Sequence, residues 1–192
     1  MKRTGIFGGS FNPIHNGHLH LAHCMLERAR LAEVWFLVTP QNPWKKQSEL
    51  MPDDFRLRLA KAAIGEDTRL VASDYEFHLP KPSYTWNTLQ ALSADYPDRQ
   101  FVLLVGGDNW TRFSHWYHSE DILANYEIAV YPREGDDIDA ESLPPHVTLV
   151  NLPLVNISST DIRRRMALRQ PIDHLVPEAV AKMLEVEEKD DR

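Results

Sequence analysis

Two short stretches near opposite ends of the chain carry side chains suited to handling phosphate: "GGSFNPIHNGH" over residues 8–18 and "SSTDIR" over residues 158–163. In the first, Gly8 and Gly9 let backbone N–H groups come close to an anion, and Pro13 stiffens the turn. His15 and His18 stand at the mouth of an expected helix, where imidazoles donate to phosphate oxygens and carry positive charge as negative charge develops. The stretch fits neither G-x-G-x-x-G nor G-x-x-x-x-G-K-[ST], so a dinucleotide cradle and P-loop chemistry are both disfavoured. Two other readings stay open. A zinc site would use the same histidines, but a catalytic one needs three protein ligands and the sequence names no third. A structural pair at a turn is, on spacing alone, as good an account as a functional one. His20 and His23 read as ordinary helix residues.

In the second stretch Ser158 and Asp161 have the spacing of a capping box, which by itself asks for no further role. The same helix start exposes orphan N–H groups, and Arg163 one turn along can offer a bidentate fork to the same anion. At roughly 100° per residue, Arg163, Arg164 and Arg165 cannot all face one ligand. At least one is therefore solvated, and Arg163 is the candidate for the site.

These stretches need elements to hold them. Short apolar runs, "TGIF", "EVWFLVT", "TRLVAS", "FVLLVG", "EIAVY" and "VTLVNL", read as strands, several buried on both faces as in a parallel sheet. Between them, residues 18–30, 53–64 and 84–95 show helical periodicity. Alternating β and α elements predict an α/β, Rossmann-like, doubly wound and mainly parallel sheet with helices on both faces. Ligands then bind outside the carboxyl ends of its strands. A small helical segment is expected over about 157–187, and the 192 residues, 43% of them apolar, read as one domain. The segments "TPQNPWKKQSELMP" and "PREGDDIDAESLPPH" read as long surface loops.

A formal net charge of −7 argues against a surface that tracks nucleic acid. No apolar run approaches a membrane span and "MKRTGIFGG" lacks the apolar core of a secretory signal, so the expectation is a soluble, cytoplasmic protein without membrane partners. The single cysteine, Cys24, excludes an internal disulfide and a multi-cysteine zinc site. Homo-oligomerisation stays open.

Taken together, "GGSFNPIHNGH" and "ISSTDIR" resemble the paired signatures of adenylyltransferases with an H-x-G-H motif. The pieces "TPQNPWKKQ", "PSYTWNTLQAL", "VGGDNWTRFSHWY" and "HLVPEAV" follow in order, so that from about Gly5 to Val180 the chain is similar to the bacterial nicotinate-nucleotide adenylyltransferase family. The resemblance implies transfer of AMP from ATP to nicotinate mononucleotide, giving deamido-NAD and pyrophosphate. It implies that His15 and His18 contact the ATP phosphates, with His18 the donor in the transition state, and that Gly8, Gly9 and Ser10 lie close to the reacting groups. Ser158, Ser159 and Arg163 would hold the triphosphate from the opposite rim. Mg2+ would ride on the phosphates, and no protein residue is assigned as its ligand.

Also by resemblance, Trp116 stacks on the pyridine ring, the Tyr117 backbone N–H meets the nicotinate carboxylate, and Thr85 belongs to the same subsite. Asp108 follows a strand directly, where a carboxylate accepts from ribose hydroxyls, with a plain N-cap as the rival reading. Lys45 and Lys46 fall in the loop where the family places basic residues near phosphate. Arg56 is in step with a family arginine, although in a generic helix it reads as a surface charge. Arg133 stands in "REG" where relatives often have R-P-G, and Asn12 where many have aspartate, a position that shapes the turn. Two neighbouring acceptors are nicotinamide mononucleotide and phosphopantetheine, the latter usually going with threonine in place of His15. A nucleotide sensor without turnover is the alternative from another class.

Overall fold

The computed structural model describes residues 1–40, 50–133, 135, 138–153 and 155–190. Lys45 and Lys46 lie outside the described residues. Among these residues six strands form one sheet: β1 (Lys2–Gly9), β2 (Glu33–Val38), β3 (Leu70–Ser73), β4 (Arg99–Gly106), β5 (Glu127–Tyr131) and β6 (Val147–Leu149). Their order is β3-β2-β1-β4-β5-β6, and every pairing is parallel, with Ile6 opposite Trp35 on one side and Leu103 on the other. That is the doubly wound arrangement, and its order reverses between β1 and β4. A crevice opens at such a switch point beyond the carboxyl ends of the strands.

The strands form where the sequence is apolar enough to be covered twice. All six residues of β2 are buried, which suits a strand packed on both faces. Side chains alternate between faces. Phe7, Val34, Phe36 and Val38 belong to one core cluster, whereas Ile6, Trp35 and Leu37 belong to the other.

The helices follow the same division. On the first face lie α1 (Asn16–Arg28), α2 (Asp53–Ile64), α6 (Ser159–Ala167) and α7 (Glu178–Asp190), through Met25, Leu59, Ile162 and Leu184. On the second lie α3 (Thr85–Asp95) and α5 (Ser119–Asn125), through Leu89, Leu92 and Ile122, while α4 (Gly107–Trp110) is a single turn after β4. Helix α2 has Asp53 and Asp54 in its first turn and Lys61 in its last, matching the helix dipole, and stops at Gly65 with φ 60°. No described helix is long and apolar enough to cross a membrane.

Candidate active site

The turn between β1 and α1 is built around buried aromatic rings. Phe11 takes φ 44°, rare for a residue other than glycine, and is 2% exposed. Its ring meets Phe7 edge-on at 5.4 Å, Phe36 at 5.4 Å and His18 at 5.1 Å. Packing of this kind can hold a strained turn in place. At Gly8 an added Cβ would meet nothing within 4 Å, so the space over the end of β1 is open to a ligand.

Helix α1 starts without a serine, threonine or aspartate cap, and His18, at its third position, takes up the N–H of the N-cap residue. His15 is the N-cap, and its backbone N–H donates to His18 Nδ1 at 3.2 Å. An accepting Nδ1 puts the proton of a neutral His18 on Nε2. The two rings stack at 3.6 Å between centroids and 22° between planes. Parallel rings present their nitrogens side by side rather than converging on one cation. His15 is buried, and its Nδ1 has no hydrogen-bond partner. Burial, helped by the positive charge of Arg133, lowers its pKa from 6.5 to about 4. His15 is thus a neutral ring at pH 7. His20 and His23 sit elsewhere on α1, His20 beside Cys24 Sγ at 3.6 Å and His23 facing Asp67 at 3.7 Å.

The second stretch docks against this turn. Ser159 Oγ donates to the Pro13 carbonyl at 2.9 Å and Arg163 donates to the Asn12 carbonyl at 2.8 Å. Residues 150 apart in sequence therefore share one rim. Ser158 caps α6 by accepting from the Asp161 N–H at 3.1 Å. Only half of the expected capping box forms, because the Asp161 carboxylate pairs with Arg164 at 2.6 Å and Arg165 at 2.8 Å. Arg164 is the solvated member of the run, and Arg163 is the one turned to the phosphate loop.

Arg56 corrects the generic reading of a surface charge, since it is fully buried. It donates to the carbonyls of Met51, Ser10 and Thr39 and pairs with Asp53 at 2.5 Å, fastening the phosphate loop to the ends of β2 and the 50–53 segment. The sequence did hold a signal. Arg56 shares a helical stripe with Leu59, Ala60 and Ala63, so it faces inward. Asn12 completes the turn by accepting from the Met51 N–H at 3.0 Å.

Across β1 lies a pocket of about 520 Å3 whose lining includes Gly8, Gly9, Thr85, Trp116 and Tyr117. Trp116 is half-buried, with one side against Phe113 at 5.1 Å. Tyr117 is exposed and meets the Tyr84 ring at 4.8 Å at the pocket mouth. Thr85 is the first residue of α3, whose N-cap Tyr84 makes no side-chain capping bond. The same lining includes Thr39, Ser83 and Thr88, which lie inside the quoted pieces without a role assigned to them, and Glu76, which lies outside those pieces.

Asp108 is not the N-cap of α4; Gly106 is. Its carboxylate pairs with Arg133 Nε at 3.2 Å at the carboxyl ends of β4 and β5. An added Cβ on Gly106 would sit 2.6 Å from Asp108 Oδ1 and 3.0 Å from Arg133 Nε, so this pair needs a glycine beneath it. The Arg133 guanidinium lies over the Tyr131 ring at 5.8 Å. Glu134, the departure from R-P-G, lies outside the described residues. Among the described residues no group of three or more His, Cys, Asp or Glu side chains is placed to hold a metal ion.

The site thus joins a turn carrying two stacked histidines, bonded to Ser159 and Arg163 of α6, to an aromatic pocket large enough for a flat heterocycle. Comparison with known proteins points the same way. The cytidylyltransferase-like family model matches residues 6–165. A "Probable nicotinate-nucleotide adenylyltransferase" of Bacteroides fragilis is 49% identical over 182 residues, covering 95% of this chain and 90% of that protein. A protein of the same description from Cytophaga hutchinsonii is 42% identical over 182 residues, 95% of each chain. In fold, the chain is similar to Plasmodium falciparum nicotinic acid mononucleotide adenylyltransferase complexed with NaAD, with a TM-score of 0.83 and 20% identity over 97% of this chain and 96% of that one.

Proposed function

Because the chain belongs to the cytidylyltransferase-like family and, within it, to the nicotinate-nucleotide adenylyltransferases, we propose that it transfers the adenylyl group of ATP to nicotinate mononucleotide. A phosphate oxygen of the acceptor attacks the α-phosphorus, the bond from that phosphorus to the bridging oxygen breaks, and pyrophosphate leaves with the bond electrons. Two anions must be brought together, so the protein contributes position and charge neutralisation rather than a covalent intermediate.

The observation that carries this reading is the stacked pair His15 and His18 on the turn whose Asn12 and Pro13 carbonyls accept from Arg163 and Ser159. With Nδ1 engaged by the His15 N–H, the Nε2–H of a neutral His18 is assigned as the donor to the developing phosphate charge. His15, uncharged at pH 7, orients His18 through that bond and through stacking. Gly8, Gly9 and Ser10 leave the backbone approachable at the end of β1, and Ser158, Ser159 and Arg163 hold the phosphates of the leaving group. Asp108 serves the ATP side, while Thr85, Trp116 and Tyr117 receive the pyridine ring, with Arg133 assigned to the same acceptor. Lys45 and Lys46, outside the described residues, are assigned to phosphate contacts.

Imidazole, hydroxyl and guanidinium groups suit phosphate oxygens better than a hard divalent cation. The residues therefore fit Mg2+ held by the phosphates of ATP, which would screen their charge.

Pyrophosphate release with ATP and Mg2+ tests the proposal, with nicotinate mononucleotide and nicotinamide mononucleotide as alternative acceptors. Strong preference for the nicotinate form is expected. Equal use would keep the transfer and remove the acceptor preference, whereas release with neither would overturn the assignment.

A further inference from the structure

The wall of the aromatic pocket holds a carboxyl group to which the proposed reaction gives no part. Glu76 lies in the short 3-10 turn Tyr75–His78, just past the carboxyl end of β3, and is 5% exposed. Its Oε1 accepts from Thr88 Oγ1 at 2.8 Å, and the Thr39 hydroxyl at the end of β2 approaches the same carboxyl. Oε2 is buried without a hydrogen-bond partner, as is Ser83 Oγ in the same wall. Buried polar atoms are rarely left so, and two of them border this one pocket.

Thr88 lies in the first turn of α3, the turn that begins with Thr85. That turn has no side-chain cap at Tyr84. The bond from Thr88 to Glu76 fastens it instead, to a turn on a different strand. We propose that Glu76 is a positioning residue for the acceptor nucleotide: its carboxyl ties the first turn of α3 to the ends of β2 and β3, and so sets the wall against which the pyridine ring and its substituent rest. This takes the pocket to be the acceptor site, as proposed above. A displacement of even 1 Å in such a wall is felt in binding and alignment. The anion rim of His15, His18 and Arg163 is built from other elements and makes no bond to Glu76 among those described. Loss of the tie should therefore act on the acceptor and spare ATP.

Burial pushes Glu76 above the ordinary carboxyl range, against the opposing Thr88 and Thr39 hydroxyls.

Steady-state kinetics of the full chain test the idea, varying nicotinate mononucleotide and ATP separately for wild type, Glu76→Ala, Glu76→Gln and Thr88→Val. Glu76→Ala should raise KM for nicotinate mononucleotide about tenfold, the size of one lost hydrogen bond, and leave KM for ATP and kcat near wild type. Glu76→Gln keeps an oxygen for Thr88 and should restore most of that loss. Thr88→Val removes the donor but keeps the shape, and should reproduce the acceptor defect even if Glu76→Ala does not fold. Unchanged acceptor KM in Thr88→Val or in a folded Glu76→Ala, or equal increases in both KM values, would overturn the role of Glu76. A wild-type protein that does not use nicotinate mononucleotide would instead overturn the reading of the pocket itself.

Discussion

The two ends of the same sheet treat charge differently: at the amino end carboxylates and cations are paired across strands, although Arg3 Nε and Arg99 Nε are buried there without partners. At the amino end, Glu33 is buried and meets Lys2 at 2.5 Å, Thr4 Oγ1 at 2.9 Å and the Arg99 guanidinium. Nearby, Glu127 takes both Arg3 nitrogens, at 2.9 and 3.0 Å, and Gln100 at 2.6 Å. A concavity of about 360 Å3 lies there, but Arg99, Gln100 and Glu127 in its wall are engaged with protein partners. At the carboxyl end, His15 Nδ1, Glu76 Oε2 and Ser83 Oγ are buried without partners, and the space over Gly8 is open. Charges that answer one another hold strands together; polar groups left facing a crevice are available to a ligand. Stability and activity should therefore separate by end.

The largest expected effect is at the carboxyl end. His18→Ala should lower kcat about 10²- to 10³-fold, the usual cost of one donor to a developing oxyanion, with the thermal midpoint little changed. Wild-type turnover from a folded His18→Ala protein would remove His18 from the mechanism.

His15 links that end to stability through pH. Its folded pKa, about 4, lies below its ordinary 6.5, so the unfolded chain takes up the proton first. The contribution from neutral His15 is complete above pH 6.5 and is lost as pH falls toward 4, by about 3 kcal/mol in all. Urea unfolding across that range should show a shallower slope for His15→Gln, and equal slopes would contradict the buried neutral ring.

At the amino end, Glu33→Gln should cost about 2 kcal/mol of stability, because Arg99 and Lys2 lose their charged partner. Its kcat and both KM values should match wild type, and a change in them would break the division between ends. The smallest effect belongs to Arg164→Ala: a solvated arginine 71% exposed should alter neither stability nor turnover measurably. A clear rise in KM for ATP there would show that more of the arginine run reaches the phosphates than Arg163 alone.

Much of the architecture was legible because its causes are local. "EVWFLVT" and "FVLLVG" are continuous apolar runs that only a twice-covered strand can bury, and they became β2 and β4. The helix expected over 53–64 has those bounds, set by acidic residues at its start and a glycine after its end. The helix expected over 18–30 instead begins at Asn16, where His18 Nδ1 accepts the N–H of the N-cap His15. At the site, the pattern "GGSFNPIHNGH" announced an anion-binding turn, yet on spacing alone the histidines could not be told from a structural pair.

The sequence by itself determined the parallel α/β class, the two anion-handling stretches and, through their ordered resemblance, the family. Tertiary structure alone decided how the stretches meet: Ser159 and Arg163 grip the carbonyls of Pro13 and Asn12. It decided that Arg56 turns inward, that Gly106 rather than Asp108 caps α4, and that Asp161 serves Arg164 and Arg165. It also brought Glu76 to Thr88 in the wall of a pocket. Periodicity and capping act between residues a few positions apart and so leave a trace in the sequence, whereas burial and through-space hydrogen bonding depend on which surfaces the fold closes together.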